Sequence, residues 1–145
     1  MDDFSKQKIV WAETAQELKF SIVEGTYMTD KTTFILITNY DKYLTGLCNS
    51  KIIEYYVRKT ASLLGNKGIS CSKIFMEQIP AILPNKIDKN LFEHINLMIQ
   101  EIISAHKQFL DCTYKTQELD YIFYNLYHLS KEEIAFINLY LAQFQ

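Results

Sequence analysis

The sequence predicts an α+β protein in which the strands come first and the helices last. Residues 8–38 are rich in β-branched and aromatic side chains that alternate with polar ones, as in half-buried strands. From Asp88 onward, apolar residues recur every three or four positions, as on one face of a helix. The chain has 145 residues, of which 48% are hydrophobic, so it can bury a core of its own. We therefore expect a β-rich domain over residues 1–86 and a helical region over residues 87–145.

The β-rich domain is expected to contain a small, mostly antiparallel sheet with an inserted helix. Strands are predicted at Lys8–Glu13, Leu18–Val23 and Thr32–Thr38, where apolar and β-branched residues alternate or dominate. Trp11 lies in the first of these strands. A single tryptophan in an alternating strand fits the core better than it fits stacking on a nucleobase.

The inserted helix is expected to begin near Lys42, after a turn at 39–41 that offers a cap. Asn49 and Ser50 weaken this helix and can divide it in two. The segment Ile52–Leu64 is the more regular part. The basic side chains of this region that can face water are Lys51, Arg58 and Lys59.

A polar loop is predicted over Gly65–Lys73, with two lysines, two serines and no acidic residue. A short strand, Ile74–Ile79, is expected to follow it and to end at Pro80. Hydroxyls and amines without neighbouring carboxylates suit contacts to phosphates and to base edges. The loop therefore predicts a surface that contacts an anionic partner, through Lys67, Ser70, Ser72 and Lys73.

Three helices are predicted in the second region. Asp88 can cap the first, which runs for about twenty residues or more. Thr116 can cap the second. Ser130 and Glu133 form a capping box in front of the last helix, Ile134–Phe144.

Composition excludes several classes of protein. The formal net charge is only -2, so no global field indicates a nucleic-acid or membrane partner. The longest apolar run is shorter than a membrane span. Three cysteines, Cys48, Cys71 and Cys112, lie far apart and follow no signal peptide, which predicts reduced thiols in a cytoplasmic protein.

The sequence lacks a recognisable catalytic signature. It contains neither a glycine-rich phosphate loop nor an HExxH motif, and no cysteine and histidine share a local context. We therefore predict no catalytic, cofactor-binding or metal-binding residue. The histidines fit surface or packing positions better than a metal site. A small enzyme remains a third hypothesis, and it would use Glu54, Glu77, His94, His106 or His128.

Five segments, taken in order, resemble one known family. They are KIVWAE at Lys8–Glu13, TDKTTFILI at Thr29–Ile37, LTGLCNSKIIEYYVRK at Leu44–Lys59, KIFMEQIPAILP at Lys73–Pro84 and ELDYIFYNLYHLSKEEIAFI at Glu118–Ile137. Together they are similar to the TaqI-like C-terminal specificity domain, the target-recognition part of adenine-specific DNA methyltransferases and of fused type IIG restriction-modification enzymes. The chain departs from the family pattern at Gln7, where the family has proline, and at His128, where it has glycine. The GISCS segment before Lys73 also lacks the family's aromatic-arginine pair.

The resemblance implies a sequence-specific DNA-recognition module that binds double-stranded DNA. It would position a separate methyltransferase or nuclease domain, and the parent enzyme would use S-adenosylmethionine, with Mg²⁺ as a further candidate. The chain itself would carry no cofactor. The candidates for the DNA-facing surface are Lys31, Thr32, Arg58, Lys59, Lys67, Ser70, Ser72 and Lys73.

An alternative role places the function in the helical region. There the helices would form a protein-interaction or subunit-docking module that does not touch DNA, and they are also candidates for a dimer contact. An exposed apolar stripe on the helix between Leu91 and Leu110 would favour this alternative.

Overall fold

The computed structural model describes residues 7–12, 14–15, 19–23, 33–36, 38–60, 62–64, 68–70 and 77–144. Within them, short strands occupy the first half of the chain and α-helices the second half. The predicted α+β class is confirmed.

The first sheet is antiparallel, with β1 (Lys8–Ala12) between β3 (Ser21–Val23) and β4 (Thr33–Leu36). These strands confirm the three predicted ones, with narrower bounds. Trp11 is only 8% exposed, and its ring centroid lies 5.5 Å from that of Phe20. The core role predicted for Trp11 is therefore confirmed.

A second antiparallel sheet places β6 (Gly68–Ser70) between β2 (Thr14–Ala15) and β5 (Ser62–Leu64). Two predictions are wrong here. The helix expected to continue to Leu64 ends at Thr60, and the centre of the expected loop is a strand. Pairing of these segments with each other and with β2 outweighs their local preference. The remaining positions of the predicted loop, 65–67 and 71–73, lie outside the described residues.

Two helices, α1 (Asp41–Cys48) and α2 (Lys51–Thr60), replace the single inserted helix, as Asn49 and Ser50 predicted. The Asn49 side chain accepts a hydrogen bond from the Phe20 backbone N–H and donates one to the Phe20 carbonyl, both at 2.8 Å. It therefore pairs with Phe20 much as a neighbouring strand would. This pairing attaches the junction of α1 and α2 to the segment that enters β3.

Replacing Asn49 by aspartate is expected to destabilise the protein by roughly 2 kcal/mol. The carboxylate still accepts from the Phe20 N–H, but it cannot donate to the Phe20 carbonyl and it repels that oxygen. Urea denaturation measures the change. Asn90→Asp, at an exposed position in the first turn of the next long helix, is the control and should be neutral or slightly stabilising. Equal stability of both variants would contradict the role given to Asn49.

The strand predicted over Ile74–Ile79 is wrong at its described residues, because Glu77 is helical and residues 78–83 form a connecting segment. Residues 74–76 lie outside the described residues. The backbone groups of the connecting segment bond to tyrosine hydroxyls. Tyr127 donates to the Pro80 carbonyl at 2.6 Å and accepts from the Ile82 N–H at 3.2 Å. Tyr43 donates to the Ile82 carbonyl at 2.5 Å. These partners from two different helices take the place of a neighbouring strand, and Pro84 then begins a 3₁₀ turn, Pro84–Lys86.

The second half of the chain contains α3 (Lys89–Lys107), α4 (Thr113–Leu126) and α5 (Lys131–Ala142). The Asp88 cap and the Ser130–Glu133 capping box are confirmed. The cap predicted at Thr116 is wrong, because α4 begins at Thr113 with Cys112 in the capping position. The Asp111 carboxylate accepts hydrogen bonds from both the N–H and the hydroxyl of Thr113. These bonds fix the turn that precedes α4, so the helix begins before the predicted cap at Thr116.

One hydrophobic core receives side chains from β1 and from four helices. Tyr43 and Leu47 of α1 pack there with Ile95 of α3 and Phe123 of α4, and each of the four has no measurable exposure. A smaller cluster around Tyr124 and residues of α5 adjoins α2. The predicted boundary between two domains at residues 86 and 87 stays a prediction. Side chains of α3 and α4 pack in the same hydrophobic core as those of β1.

Candidate nucleic-acid interface

The second sheet aligns three hydroxyl-bearing residues in one cross-strand row. Ser70 of β6 is paired with Thr14 of β2 on one side and with Ser62 of β5 on the other. We refer to Thr14, Ser70 and Ser62 as the hydroxyl row. The next row contains Ala15, Ile69 and Leu63. The hydroxyl row and the apolar row are therefore neighbouring rows of the same register.

Serine and threonine hydroxyls are uncharged and can both donate and accept hydrogen bonds. Proteins use them to contact phosphates, and to contact base edges that carry either donors or acceptors. Of the three residues in the row, the sequence predicted only Ser70. Thr14 lay between two predicted strands and Ser62 within the predicted helix, and only the register brings them beside Ser70. The signal that could have found them is the pairing of β2 with β6.

The predicted lysines of the loop flank β6 in sequence. Lys67 directly precedes Gly68, and Ser72 and Lys73 follow Ser70 by two and three residues. Both lysines and Ser72 lie outside the described residues, as do Lys31 and Thr32 of the predicted surface. For all five, a DNA-facing role stays a prediction.

Arg58 does not face water as predicted, because its side chain is buried at the end of α2. The residue is 3% exposed, and its Nε lies 3.1 Å from Oε1 of Glu54, one turn earlier. The guanidinium carbon lies 4.1 Å from the centroid of the Phe144 ring, beyond the end of α5. Arginine stacks well on aromatic faces while it keeps an ion pair. Arg58 therefore attaches α2 to the C-terminal segment.

Lys59, the other predicted residue on α2, is exposed and lies against aromatic rings. Its Nζ is 4.3 Å from the ring centroid of Tyr140 and 5.8 Å from that of Tyr55. Tyr55 meets Tyr140 and Phe136 edge-on, which confirms that it belongs to a packed helix face. The lysine is thus held at a fixed place three residues before β5, with its charge open to solvent.

One cysteine and one histidine come together, contrary to the expectation from the sequence: Cys112 Sγ lies 3.4 Å from His106 Nε2 at the exposed turn that follows α3. Among the residues that the structure describes, no group of three histidine, cysteine, aspartate or glutamate side chains could hold a metal ion. The Glu54 carboxylate is paired with Arg58, and burial raises the pKa of the Cys48 thiol to about 12. Cys48 packs against the core, whereas Cys71 lies outside the described residues.

The helices that the structure describes include none with the length and apolar character needed to cross a membrane. The longest, α3, carries charged side chains along its length.

A comparison with individually curated proteins finds no match for this chain. A family model, the TaqI-like C-terminal specificity domain, matches residues 2–81. The match covers more than half of the 145 residues and includes both sheets, α1 and α2, and it ends before α3. It supports a DNA-recognition module of restriction-modification enzymes. The hydroxyl row and the flanking lysines lie inside the matched segment, whereas Glu118–Ile137, the last segment of the resemblance, lies outside it and stays a prediction. The family noted in the sequence is confirmed: the chain belongs to the TaqI-like C-terminal specificity domain family.

Proposed function

We propose that this chain reads a DNA sequence and positions a separate adenine methyltransferase or nuclease domain on it. The observation that supports the proposal most strongly is the hydroxyl row inside the family-matched segment, with a lysine on either side of β6 in sequence. A surface of this kind combines neutral groups that distinguish base edges with cations that attract the phosphate backbone.

The two kinds of residue have different tasks in this proposal. Lys31, Lys59, Lys67 and Lys73 contact phosphates and fix the register of the protein on the duplex. Thr32, Ser72 and the hydroxyl row read base edges in the groove. Arg58 contributes indirectly, since it holds the helix that carries Lys59 through its contacts with Glu54 and Phe144.

The phosphate contacts are tested by the salt dependence of binding. We expect the affinity of the wild-type chain for a mixed-sequence duplex to fall steeply between about 50 and 200 mM salt. The double variant Lys67→Ala/Lys73→Ala should bind more weakly at low salt and lower the slope of the log–log plot by about 1.8, since each lost contact removes about 0.9. Fluorescence anisotropy of a labelled duplex measures both quantities.

Lys131→Ala is the matched control, because Lys131 is an exposed lysine at the start of α5, far along the chain from β6. It should keep the wild-type slope. If the double variant and the control have the same slope and affinity while both remain folded, the loop does not contact phosphates and this part of the proposal is wrong.

The helical region is proposed to dock on the catalytic domain. The connection between α3 and α4 and the first turn of α4 present exposed apolar residues, with Phe109 97%, Tyr114 82% and Leu110 58% exposed. Phe109 also has a left-handed backbone conformation, φ 56°, which is strained for a bulky residue. Large exposed aromatic side chains are typical of protein contacts. This observation also favours the alternative of a protein-interaction module.

Sedimentation velocity tests the docking role on the chain mixed with an adenine methyltransferase domain of a restriction-modification enzyme. A complex that forms with the wild-type chain and is lost with Phe109→Ser/Tyr114→Ser supports docking through this turn. The exposed-site control is Leu139→Ser on α5, where the leucine is 76% exposed. A complex that survives the double serine variant, or that the control disrupts equally, contradicts docking at this turn.

A further inference from the structure

A histidine and a cysteine meet at the surface where α3 is connected to α4. Nε2 of His106, in the last turn of α3, lies 3.4 Å from Sγ of Cys112, which occupies the capping position of α4. The histidine is exposed and the cysteine is half-buried, so a solute can reach the pair from solvent. The two residues lie outside the segment that the family model matches, and the DNA-recognition role does not use them.

The separation of these two atoms fits two ligands of one zinc ion. Zinc lies about 2.3 Å from a thiolate sulfur and about 2.0–2.1 Å from an imidazole nitrogen, so tetrahedral geometry places two such ligand atoms about 3.5–3.6 Å apart. The observed 3.4 Å is close to this separation, so the pair needs little rearrangement to bind the ion. Thiolate and imidazole ligands also suit zinc better than they suit Mg²⁺ or Ca²⁺, which prefer oxygen.

One copy of the chain supplies only half of a closed zinc site. A structural site has four protein ligands, and among the described residues no third histidine, cysteine, aspartate or glutamate joins the pair. The carboxylate of Asp111, next to Cys112 in the chain, accepts hydrogen bonds from the N–H and the hydroxyl of Thr113. A closed site therefore needs two ligands from another molecule.

The surface around the pair is apolar and uncovered. Phe109 and Leu110, which lie between the two ligands in the chain, are 97% and 58% exposed. Tyr114, two residues after Cys112, is 82% exposed. Exposed apolar side chains of this size are more stable when a second molecule covers them. A contact that closed the zinc site would bury these side chains at the same time.

We propose that two copies of this chain bind one zinc ion between them, through His106 and Cys112 of each copy. A second copy carries both missing ligands at the required spacing, and a twofold axis through the ion completes a tetrahedral set of two sulfurs and two nitrogens. Each thiol releases its proton to solvent as its Zn–S bond forms. The two thiolates balance the charge of Zn²⁺, so the closed site is neutral and can be buried between the copies.

The pairing of two copies would occupy the surface that is proposed above to dock on the catalytic domain. Zinc would therefore compete with docking. The zinc site itself depends neither on docking nor on DNA recognition, because the chain and the metal alone are enough to test it. Its failure would leave the proposed function unchanged.

Sedimentation velocity of the full chain tests the proposal. A phosphine reductant, which has no thiol to bind zinc, prevents a disulfide between copies. We expect single copies in EDTA and pairs after half an equivalent of zinc chloride, and excess EDTA should separate the pairs again. Calorimetric titration should saturate at one zinc ion per two chains. A sedimenting mass that zinc does not change overturns the proposal, and so does saturation at one ion per chain.

Variants identify the ligands. Cys112→Ser and His106→Gln should each abolish the zinc-dependent pairing. The matched controls are Cys71→Ser and His94→Gln, the latter at an exposed histidine of α3, and both should keep it. Circular dichroism shows that each variant is folded. Pairing that survives Cys112→Ser, or that either control abolishes, overturns the assignment.

Cobalt provides a second readout that does not depend on pairing. Co²⁺ adopts the same tetrahedral geometry as zinc and absorbs visible light, with a charge-transfer band when a thiolate binds it. We expect this band in the wild-type chain and in Cys71→Ser, and its loss in Cys112→Ser. Absence of the band from the wild-type chain would show that Cys112 does not bind the metal and overturns the proposal.

Discussion

Replacing Gly46 by valine is expected to destabilise the fold by roughly 3 kcal/mol. Gly46 lies in α1 where this helix crosses α3. A Cβ atom at this position would lie 2.7 Å from Cγ1 of Ile99 and closer still to its Cδ1, and the Cδ2 of Leu119 is 3.8 Å away. Ile99 is itself 3% exposed in the core, so it has little room to move. Glycine is therefore required here for close helix packing, even though it weakens the helix.

Urea denaturation of Gly46→Val, Ile99→Ala and the double variant tests this packing. The Ile99→Ala change alone should cost about 2–5 kcal/mol, because it leaves a cavity. The double variant should lose clearly less than the sum of the single losses, since the valine enters the space that isoleucine leaves. Additive losses would show that α1 and α3 do not make this close contact.

The second large effect is a loss of stability as the pH rises from about 4 to 6. Asp120 is 6% exposed, and burial raises the pKa of its carboxyl to about 6. Two effects of Lys51 lower this pKa in part: its backbone N–H donates to the carboxylate at 3.0 Å, and its positive charge lies nearby. The folded protein therefore binds more protons than the unfolded chain in this window. The contribution of the protonated carboxyl to the free energy of unfolding is fully present below about pH 4. It is lost as the pH rises through 6, which lowers the free energy of unfolding by roughly 2–3 kcal/mol.

Asp120→Asn should remove this pH dependence. The amide oxygen can still accept from the Lys51 N–H at the start of α2, but no buried charge forms above pH 6. We expect the variant to be more stable than the wild type at pH 7.5 by roughly 2 kcal/mol and equal to it near pH 4. Thermal unfolding at a series of pH values measures this. Glu118→Gln, at an exposed position of the same helix, is the control and should follow the wild-type curve. If the stability of Asp120→Asn changed with pH in the same way as that of the wild type, Asp120 would not be the source of the pH dependence.

Local signals predicted the parts of the fold that local physics determines. The capping box at Ser130 and the Asp88 cap depend on residues three positions apart, and both could be read directly from the sequence. The strand β1 was likewise visible from its alternating composition. By contrast, the sequence carries no glycine or proline between the amphipathic helix α2 and Ser62–Leu64. Only pairing with β6 makes Ser62–Leu64 a strand. No local pattern contains that information.

The candidate site shows the same division. The composition of the loop identified Ser70 and the lysines, but Thr14 lies 56 positions before Ser70 in the chain and joins it only through the register of the sheet. Arg58 was predicted to be exposed because the helical pattern of α2 cannot reveal Phe144, which covers it.

Selection from a randomised duplex pool tests whether this chain distinguishes one DNA sequence from others. We expect repeated rounds to enrich one short sequence, which then binds at least about 100-fold more tightly than its shuffled version at physiological salt. Ser70→Ala should reduce this ratio without changing the salt slope, because the hydroxyl row contributes to discrimination and the lysines to attraction. A pool that remains unenriched, with equal affinity for duplexes from the last round and for shuffled duplexes, would show that the chain does not read a DNA sequence.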